Sequence, residues 1–72
     1  MKMNYYPDTD TLYIDLSSKS SSDTKEIADG VLVDFDEQGD IVGIDIDHAS
    51  QKLDLHELEL VELPIRSQKI RA

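Results

Sequence analysis

Apolar and polar residues alternate along several short segments of the chain, and this period of two predicts half-buried β-strands. In T-L-Y-I-D-L-S, residues 11–17, leucine and isoleucine fall on one face, and Thr, Tyr and Asp fall on the other. The segment M-N-Y-Y precedes it, separated by the turn-forming residues P-D-T-D at 7–10. A loop at these residues would place Tyr5 opposite Leu12 and Met3 opposite Ile14. We therefore predict a first hairpin, with Tyr5 in the core.

Residues 24–46 carry a second set of apolar positions with the same period. We interpret T-K-E-I-A-D-G-V-L-V-D-F-D as one long strand bent at Asp29-Gly30, because glycine allows a kink. A two-residue turn at Gln38-Gly39, with positive φ at the glycine, then forms a second hairpin. The turn and the apolar face select the same register, which pairs Phe35 with Val42, Val33 with Ile44, and Val31 with Ile46.

The acidic residues of this second hairpin can be interpreted in two ways. By position, D-F-D-E-Q-G-D-I-V-G-I-D at residues 34–45 is close to the calcium loop of an EF-hand, although it ends in Asp where the pattern has Glu. By period, the flanking segments are strands, and an extended hairpin holds its carboxylates apart instead of wrapping them around one ion. We favour an outward acidic face. The alternative is a divalent-cation site formed by Asp34, Asp36, Asp45 and Asp47.

The remaining segments have other patterns. Residues 17–23 are serines and charged residues without an apolar anchor, which predicts an exposed, flexible loop. After Asp47, H-A-S-Q-K-L-D predicts a short helix of about two turns, capped by Asp47 or Ser50. The segment E-L-E-L-V-E-L-P fits a strand ending at Pro64 better than a continued helix. The predicted fold class is α+β, mainly β: an antiparallel meander of four to five strands, formed by two hairpins, with one short helix after Asp47.

Length and cysteine content limit how the fold can be stabilised. The 72 residues are expected to form a single small domain, 1–72, which buries only about 60% of the surface that the unfolded chain exposes. Without cysteine there is no disulfide and no thiolate zinc site, so we expect self-association to add stability. The missing cysteines and the lack of a signal-like apolar segment predict a cytoplasmic location. No window is apolar enough for a membrane span.

The net charge of the chain limits the classes of molecule that it is expected to bind. Sixteen acidic and seven basic residues give a net charge of −9. This charge repels nucleic-acid phosphates and attracts a basic protein or a cation, unless it serves only to keep the chain soluble. The acids end at Glu62, and Arg66, Lys69 and Arg71 make residues 64–72 a basic C-terminal tail. This tail either extends into solvent or lies on the acidic face of its own or a second copy.

The side chains that could carry catalysis do not form a known constellation. His48 and His56 are eight residues apart and have no cysteine beside them, which argues against a metal pair. The serines of 17–22 lie far from any histidine in sequence, so no nucleophile with a fixed base is indicated. We therefore expect no catalytic residue, no cofactor and no enzymatic activity. Exposed tyrosines and carboxylates are instead predicted to bind a partner: Tyr6, Tyr13, Asp34, Asp36 and Asp45.

The order of these motifs is similar to that of a known family. Y-Y-P-D-T-D-T-L-Y-I-D-L-S, followed by E-I-A-D-G-V-L-V-D-F-D-E-Q-G-D-I-V-G-I-D-I-D-H-A-S, resembles the small prokaryotic proteins of domain-of-unknown-function family 2283. The resemblance covers roughly residues 3–53. His48 departs from it, because the family has an acidic or amide side chain before the final Ala-Ser. The resemblance implies a compact antiparallel β domain with a little helix and no established activity, and some such genes are thought to neighbour toxin-like genes.

Three hypotheses follow from the sequence. The first is a non-catalytic module that self-associates as a homo-oligomer and binds another protein. The second is an antitoxin-like inhibitor that covers a basic protein with its Asp-rich face. The third is a protein that binds a divalent cation through Asp34, Asp36, Asp45 and Asp47.

Overall fold

The structure, a computed structural model, describes residues 1–55, which form one five-stranded antiparallel sheet with a single-turn helix at its end. The strands are β1 Lys2–Tyr6, β2 Thr11–Asp15, β3 Asp23–Ala28, β4 Val31–Phe35 and β5 Ile41–Ile46, and the helix is α1 Ala49–Lys52. The predicted class, mainly β and antiparallel with a short helix after Asp47, is confirmed. The predicted strand ending at Pro64 and the basic tail at 64–72 lie outside the described residues.

The first hairpin has the predicted register. Met3 faces Ile14 and Tyr5 faces Leu12 across β1 and β2. Leu12 is buried, but Tyr5 is 44% exposed, so its prediction as a core residue is wrong. The reason is that β1 is an edge strand, and the Tyr5 hydroxyl turns back to donate to Oδ1 of Asp10 at 2.7 Å.

Asp29-Gly30 is a hairpin turn and not a bend within one strand. Ala28 pairs with Val31, so the two residues between them reverse the chain, and Gly30 adopts a φ of 72°. An Asp-Gly pair between two alternating segments is a strong hairpin signal, which the single-strand interpretation missed. The same error misplaced Ile27, because the register shifts beside it and its side chain is 64% exposed.

The β4–β5 hairpin keeps two of the three predicted apolar pairs and changes the third. Val33 faces Ile44 as predicted, whereas Phe35 faces Ile41 instead of Val42. A register shift at the end of β4 accounts for the difference. Such a bulge places two residues of one strand against one of the other, so residue 42 keeps its side chain in the core although it is no longer opposite residue 35.

The turn that joins β4 to β5 is formed around a buried carboxylate. It comprises residues 36–40, longer than the predicted two-residue turn, and Gly39 has the predicted positive φ, 83°. Oδ1 of Asp36 accepts the backbone N–H groups of Gln38 and Asp40, both at 2.9 Å. The Asp36 side chain is therefore drawn into the turn and is 5% exposed. Its prediction as a member of the outward acidic face is wrong.

The strands are ordered β1-β2-β5-β4-β3, so β5 lies at the centre of the sheet. Three hairpins result instead of two, and residues 16–22 connect β2 to β3 across the ends of β4 and β5. Antiparallel pairing puts the turns at 7–10 and 29–30 and the chain after β5 at one end of the sheet. The connection 16–22 and the turn 36–40 lie at the other end. The central position suits β5, because its Val42 and Gly43 are both buried.

The core lies on the apolar face, where Leu12, Val33 and Val42 are each at most 6% exposed. Ala49 of α1 is also fully buried. The helix is shorter than predicted and follows His48, which adopts the left-handed conformation with φ 53°. None of the side chains of residues 47–50 caps α1, so the prediction of Asp47 or Ser50 as the cap is wrong.

Asp36→Ala is expected to destabilise the protein. It removes the acceptor of two backbone N–H groups in a partly buried turn, and leaving such groups unpaired costs on the order of 2–3 kcal/mol. Asp36→Asn keeps an oxygen in the place of Oδ1 and is expected to retain most of the stability. Urea unfolding monitored by circular dichroism measures both variants. Equal losses would show that the hydrogen bonds of Oδ1 do not hold the turn.

Candidate functional site

A row of side chains crosses the polar face of the sheet above Gly43. The Tyr13 hydroxyl on β2 donates to Oδ2 of Asp34 on β4 at 2.9 Å, and therefore spans β5. Oδ1 of the same carboxylate accepts from the hydroxyl of Thr24 on β3 at 2.6 Å. Gly43 makes this crossing possible, because a Cβ at that position would lie against the phenol ring of Tyr13. The row ties β2 to β4 and β3 over the central strand.

Two residues of this row, Tyr13 and Asp34, were predicted to bind a partner. The hydrogen bond to Asp34, followed by partial burial, raises the pKa of Tyr13 to about 12. The phenol is therefore protonated at neutral pH and acts as a donor to a carboxylate that is already a double acceptor. Tyr13 and Asp34 lie on the face that the sequence predicted, but their polar atoms stabilise the sheet.

Asp45 is the most crowded acid of the polar face. It lies between Tyr13 and Leu32 in the ladder, and its Oδ1 is buried without a hydrogen-bond partner in the described residues. Burial raises the pKa of Asp45, followed by a side-chain hydrogen bond with Asp47 and by the negative charges of Asp47 and Asp34. Negative charge is thus concentrated at the centre of this face, which attracts a cation more strongly than isolated surface acids do.

The four carboxylates considered as a divalent-cation site do not converge. Asp34 and Asp45 share the polar face, Asp47 follows β5 and accepts from the Thr11 hydroxyl at 3.5 Å, and Asp36 lies in a turn at the opposite end of the sheet. Within residues 1–55, no group of three or more Asp, Glu, His or Cys side chains is placed to hold a metal ion. The positional pattern of a calcium loop therefore occurs here on a hairpin, without the geometry that such a loop requires.

A second cluster, which the sequence analysis missed, holds α1 to the first hairpin. Oδ1 of Asp10 accepts the backbone N–H of Ser50 at 3.0 Å, and Oδ2 accepts its hydroxyl at 2.7 Å. The backbone carbonyl of Asp10 also accepts the N–H of Ala49 at 2.9 Å. Asp10 adopts a φ of 54° to do this, which is uncommon for a residue other than glycine. We name this cluster the Asp10–Ser50 latch.

The latch is an N-cap supplied from 40 residues away, where a cap normally comes from the adjacent residue. The hydrogen bonds from Ser50 and then from Tyr5 lower the pKa of Asp10, and the bond to Asp10 raises the pKa of Tyr5. The sequence assigned Asp10 only to its own turn. The signal that pointed towards the latch was Ser50 of the Ala-Ser pair, because serine is favoured at helix ends over helix interiors.

The other end of α1 is fixed to the β3–β4 turn. The ammonium of Lys52 donates to the carbonyl of Asp29 at 2.7 Å, and it lies so close to Gly30 that a Cβ there would meet it. The backbone N–H of Asp47 donates to the carbonyl of Gly30 at 2.8 Å. α1 is thereby held at both ends, between the turns at 7–10 and 29–30.

The serine-rich connection at 17–22 passes over the β4–β5 turn and forms an open cleft of about 380 Å³ with residues 36–38. The backbone N–H of Ser22 donates to the carbonyl of Phe35 at 2.8 Å. The Lys19 ammonium lies 3.8 Å from Oδ2 of Asp36 while remaining 62% exposed. An ion pair this exposed on one side contributes little stability. Serine hydroxyls and carboxylates both line the cleft, but no hydrogen bond joins them within residues 1–55.

Large apolar and aromatic side chains are exposed along the edge strand β1. Four of its residues and neighbours are more than 40% exposed: Met1 at 84%, Tyr6 at 52%, Met3 at 49% and Tyr5 at 44%. Tyr6 was predicted to bind a partner, and its exposure leaves it available for contact. The opposite edge, β3, is also exposed throughout, but apart from Ile27 its exposed side chains are polar or small.

Searches for similar proteins give a family without an assigned activity. Residues 2–50 match the family model described as "Protein of unknown function (DUF2283)". The chain is 31% identical over 70 residues to the uncharacterised protein MJ0789 of Methanocaldococcus jannaschii, and this alignment covers 97% of the chain and 60% of that protein. No solved structure matches the chain. Within the described residues, no helix is long and apolar enough to cross a membrane.

Asp10→Asn tests the latch through its pH dependence. Asparagine tolerates positive φ, but its NH2 group replaces one of the two oxygens that accept separately from the N–H and the hydroxyl of Ser50, and an NH2 group cannot accept. Because the folded pKa of Asp10 lies below its usual value of 3.8, the carboxylate stabilises the fold above that pH, and this stabilisation is lost as the pH falls through the folded pKa. The parent chain is therefore expected to be more stable than Asp10→Asn at pH 6, and the difference is expected to shrink towards pH 3.

Thermal unfolding measured by circular dichroism at pH 6, 4 and 3 follows this difference. Asp8→Asn is the matched control, because it removes the same charge from the same loop outside the latch. A loss in Asp8→Asn as large as that in Asp10→Asn would assign the effect to net charge and contradict the latch.

Proposed function

The chain belongs to the DUF2283 family of proteins of unknown function, and we propose that it acts as a small non-catalytic module that self-associates and binds other proteins. The observation that carries this proposal is that several polar side chains are hydrogen-bonded within the fold, whereas large apolar side chains are exposed. The carboxylates that could supply chemistry are engaged in structural contacts: Asp10 in the latch, Asp34 in the row over Gly43, and Asp36 in the β4–β5 turn.

The exposed apolar surface supports the same proposal. Scattered exposed apolar residues are normal, but here they are adjacent along one edge strand, where the backbone can also pair with another chain. Met3 and Tyr5 lie on the face that carries the core, so a partner at this edge would continue an apolar surface that already exists. Recognition through a strand edge requires no catalytic group.

Self-association is expected to be measurable with the purified chain. Light scattering coupled to size exclusion, over about 5–500 μM, should give a mass that rises from the monomer value of 8.1 kDa towards twice that value. Added salt is expected to favour the dimer, because it screens the repulsion between two chains of net charge −9. A monomer mass at every concentration, with and without salt, would contradict self-association.

A second candidate function is that of an antitoxin-like inhibitor which binds a basic protein on the polar face. The observation that favours it is the crowding of Asp45, whose pKa is raised by burial, then by the side-chain hydrogen bond with Asp47, and then by repulsion from Asp47 and Asp34. Asp15 lies on the same face, near enough to help raise the pKa of Tyr13. A cationic side chain placed among these acids would relieve the repulsion, so charge complementarity selects a lysine- or arginine-rich surface.

This second candidate is tested with a lysine-rich peptide and amide NMR shifts at low and high salt. The expected result is salt-sensitive binding that perturbs β2 and β5 and weakens about tenfold in Asp15→Asn/Asp45→Asn, as expected if ~1.4 kcal/mol of attraction is lost. The control Asp23→Asn/Glu37→Gln removes the same charge from exposed positions elsewhere. Equal weakening in both double variants would mean that only net charge matters and would exclude a specific acidic site.

A further inference from the structure

One backbone hydrogen bond of the neighbouring strand β2 shows which residues of β1 point their N–H and C=O groups away from the sheet. The backbone N–H of Leu16, directly after β2, donates to the carbonyl of Val42 on β5 at 2.9 Å. Main-chain groups of successive strand residues point to alternate sides, so the odd-numbered residues of β2 point to β1. Their partners across the ladder are Lys2, Asn4 and Tyr6. The N–H and C=O groups of Met3 and Tyr5 therefore point away from the sheet, where no other described strand lies.

The two edges of the sheet are protected to different degrees. Natural edge strands carry charges, prolines or bulges that discourage pairing with another chain. The β3 edge has three charged residues, Asp23, Lys25 and Glu26, and a register shift beside Ile27. The β1 edge has one charged residue, Lys2, and no register shift.

We propose that β1 pairs antiparallel with β1 of a second copy, with Asn4 opposite Asn4 on the two-fold axis, so that two sheets join into one of ten strands. This inference rests on the proposed self-association and specifies its surface. In this register Met3 faces Tyr5 of the other copy twice, and these are the residues whose backbone groups point outward. Each such pair exchanges two hydrogen bonds, which gives four across the axis.

The side chains agree with this register on both faces of the sheet. Met3 and Tyr5 lie on the apolar face, so their cross-copy pairs join the two apolar surfaces into one. On the polar face Lys2 comes opposite Tyr6 of the other copy, where its ammonium can lie over the phenol ring as a cation–π pair. The two Asn4 side chains meet at the axis, where an amide can both donate to and accept from its symmetry mate.

The same operation on β3 is unfavourable. A two-fold axis perpendicular to the sheet places some residue opposite its own copy, and the central residues of β3 are Lys25 and Glu26. An axis at either of these residues sets two like charges directly opposite each other, which destabilises a strand pair. An axis at Thr24 avoids this repulsion but pairs only residues 23–25 of the strand, because Asp23 is its first residue. The bulge beside Ile27 also interrupts the ladder. The second copy is thus expected at β1.

A single cysteine at the axis gives a direct test. The chain has no cysteine of its own. In an antiparallel ladder, a pair that does not exchange hydrogen bonds has Cα atoms about 4.5 Å apart, within the range of about 4.4–6.8 Å that a disulfide spans. Asn4→Cys is therefore expected to form a covalent dimer on mild oxidation, at concentrations where Thr24→Cys on β3 stays mostly monomeric. A crosslink in Met3→Cys instead of Asn4→Cys would overturn the register.

Edge variants test the surface without a crosslink. Met3→Pro removes an N–H that points outward and keeps the ladder to β2, so the chain should fold but lose at least tenfold in dimer affinity. Met3→Lys places a charge on the same edge with the same expected effect. Ile27→Lys is the matched control on the other exposed edge, and its dimer affinity is expected to remain unchanged. Circular dichroism checks that each variant folds, and light scattering gives the association constant.

The outcomes separate this inference from the proposed function. If the parent chain dimerises, but Asn4→Cys does not crosslink and Met3→Lys still dimerises, the β1 surface is wrong while self-association stands. If the parent chain is monomeric at every concentration, both are wrong. Loss of dimer in Met3→Pro and Met3→Lys with retention in Ile27→Lys, together with the Asn4→Cys crosslink, supports the β1 pairing.

Discussion

The hydrogen bond from Tyr13 to Asp34 over Gly43 links three neighbouring strands of the sheet through one contact. It joins β2 to β4, two strands that are not neighbours, and so requires β5 to lie between them with no side chain in the way. A side chain larger than glycine at position 43 would displace the phenol ring. Because β5 is the last strand of residues 1–55 and takes the central place, this sheet is complete only when the whole of residues 2–46 has folded. The β2–β5 pairs therefore join residues far apart in sequence, from Asp15 with Gly43 to Leu12 with Ile46, an arrangement that raises the entropic cost of forming the sheet.

Several carboxylates of this acidic chain are hydrogen-bonded within the fold, and this explains why strand alternation wrongly placed Asp36 on the outward acidic face. Asp36 accepts two backbone N–H groups in its turn, Asp34 accepts two hydroxyl groups, and Asp10 caps a helix distant in sequence. A short side chain with two acceptor oxygens suits positions where backbone donors would otherwise be unpaired. The acids left outside such contacts, Asp45 above all, are the ones that a cationic partner could engage.

The sequence predicted local pairing better than it predicted relations between distant segments. Alternation and turn length were sufficient for the β1–β2 register and for most of the β4–β5 register, because each depends on residues close in the chain. The hairpin at Asp29-Gly30 was also accessible, and it was missed because a uniform apolar parity favoured one bent strand. The central position of β5 and the Asp10–Ser50 latch depend on contacts across about 30–40 residues, for which periodicity carries no signal.

The residues through which the chain resembles its family are largely those that hold the fold. Asp10 and Ser50 form the latch, Gly30 makes the β3–β4 turn, and Tyr13, Gly43 and Asp34 form the row across the sheet. These residues account for the architecture without assigning any chemistry to it, since each has a structural contact that explains its residue type. An activity particular to this chain is therefore more reasonably sought among side chains without such contacts in the described part of the chain. The edge strand β1 presents the largest set of them, with apolar side chains and outward backbone groups on one surface.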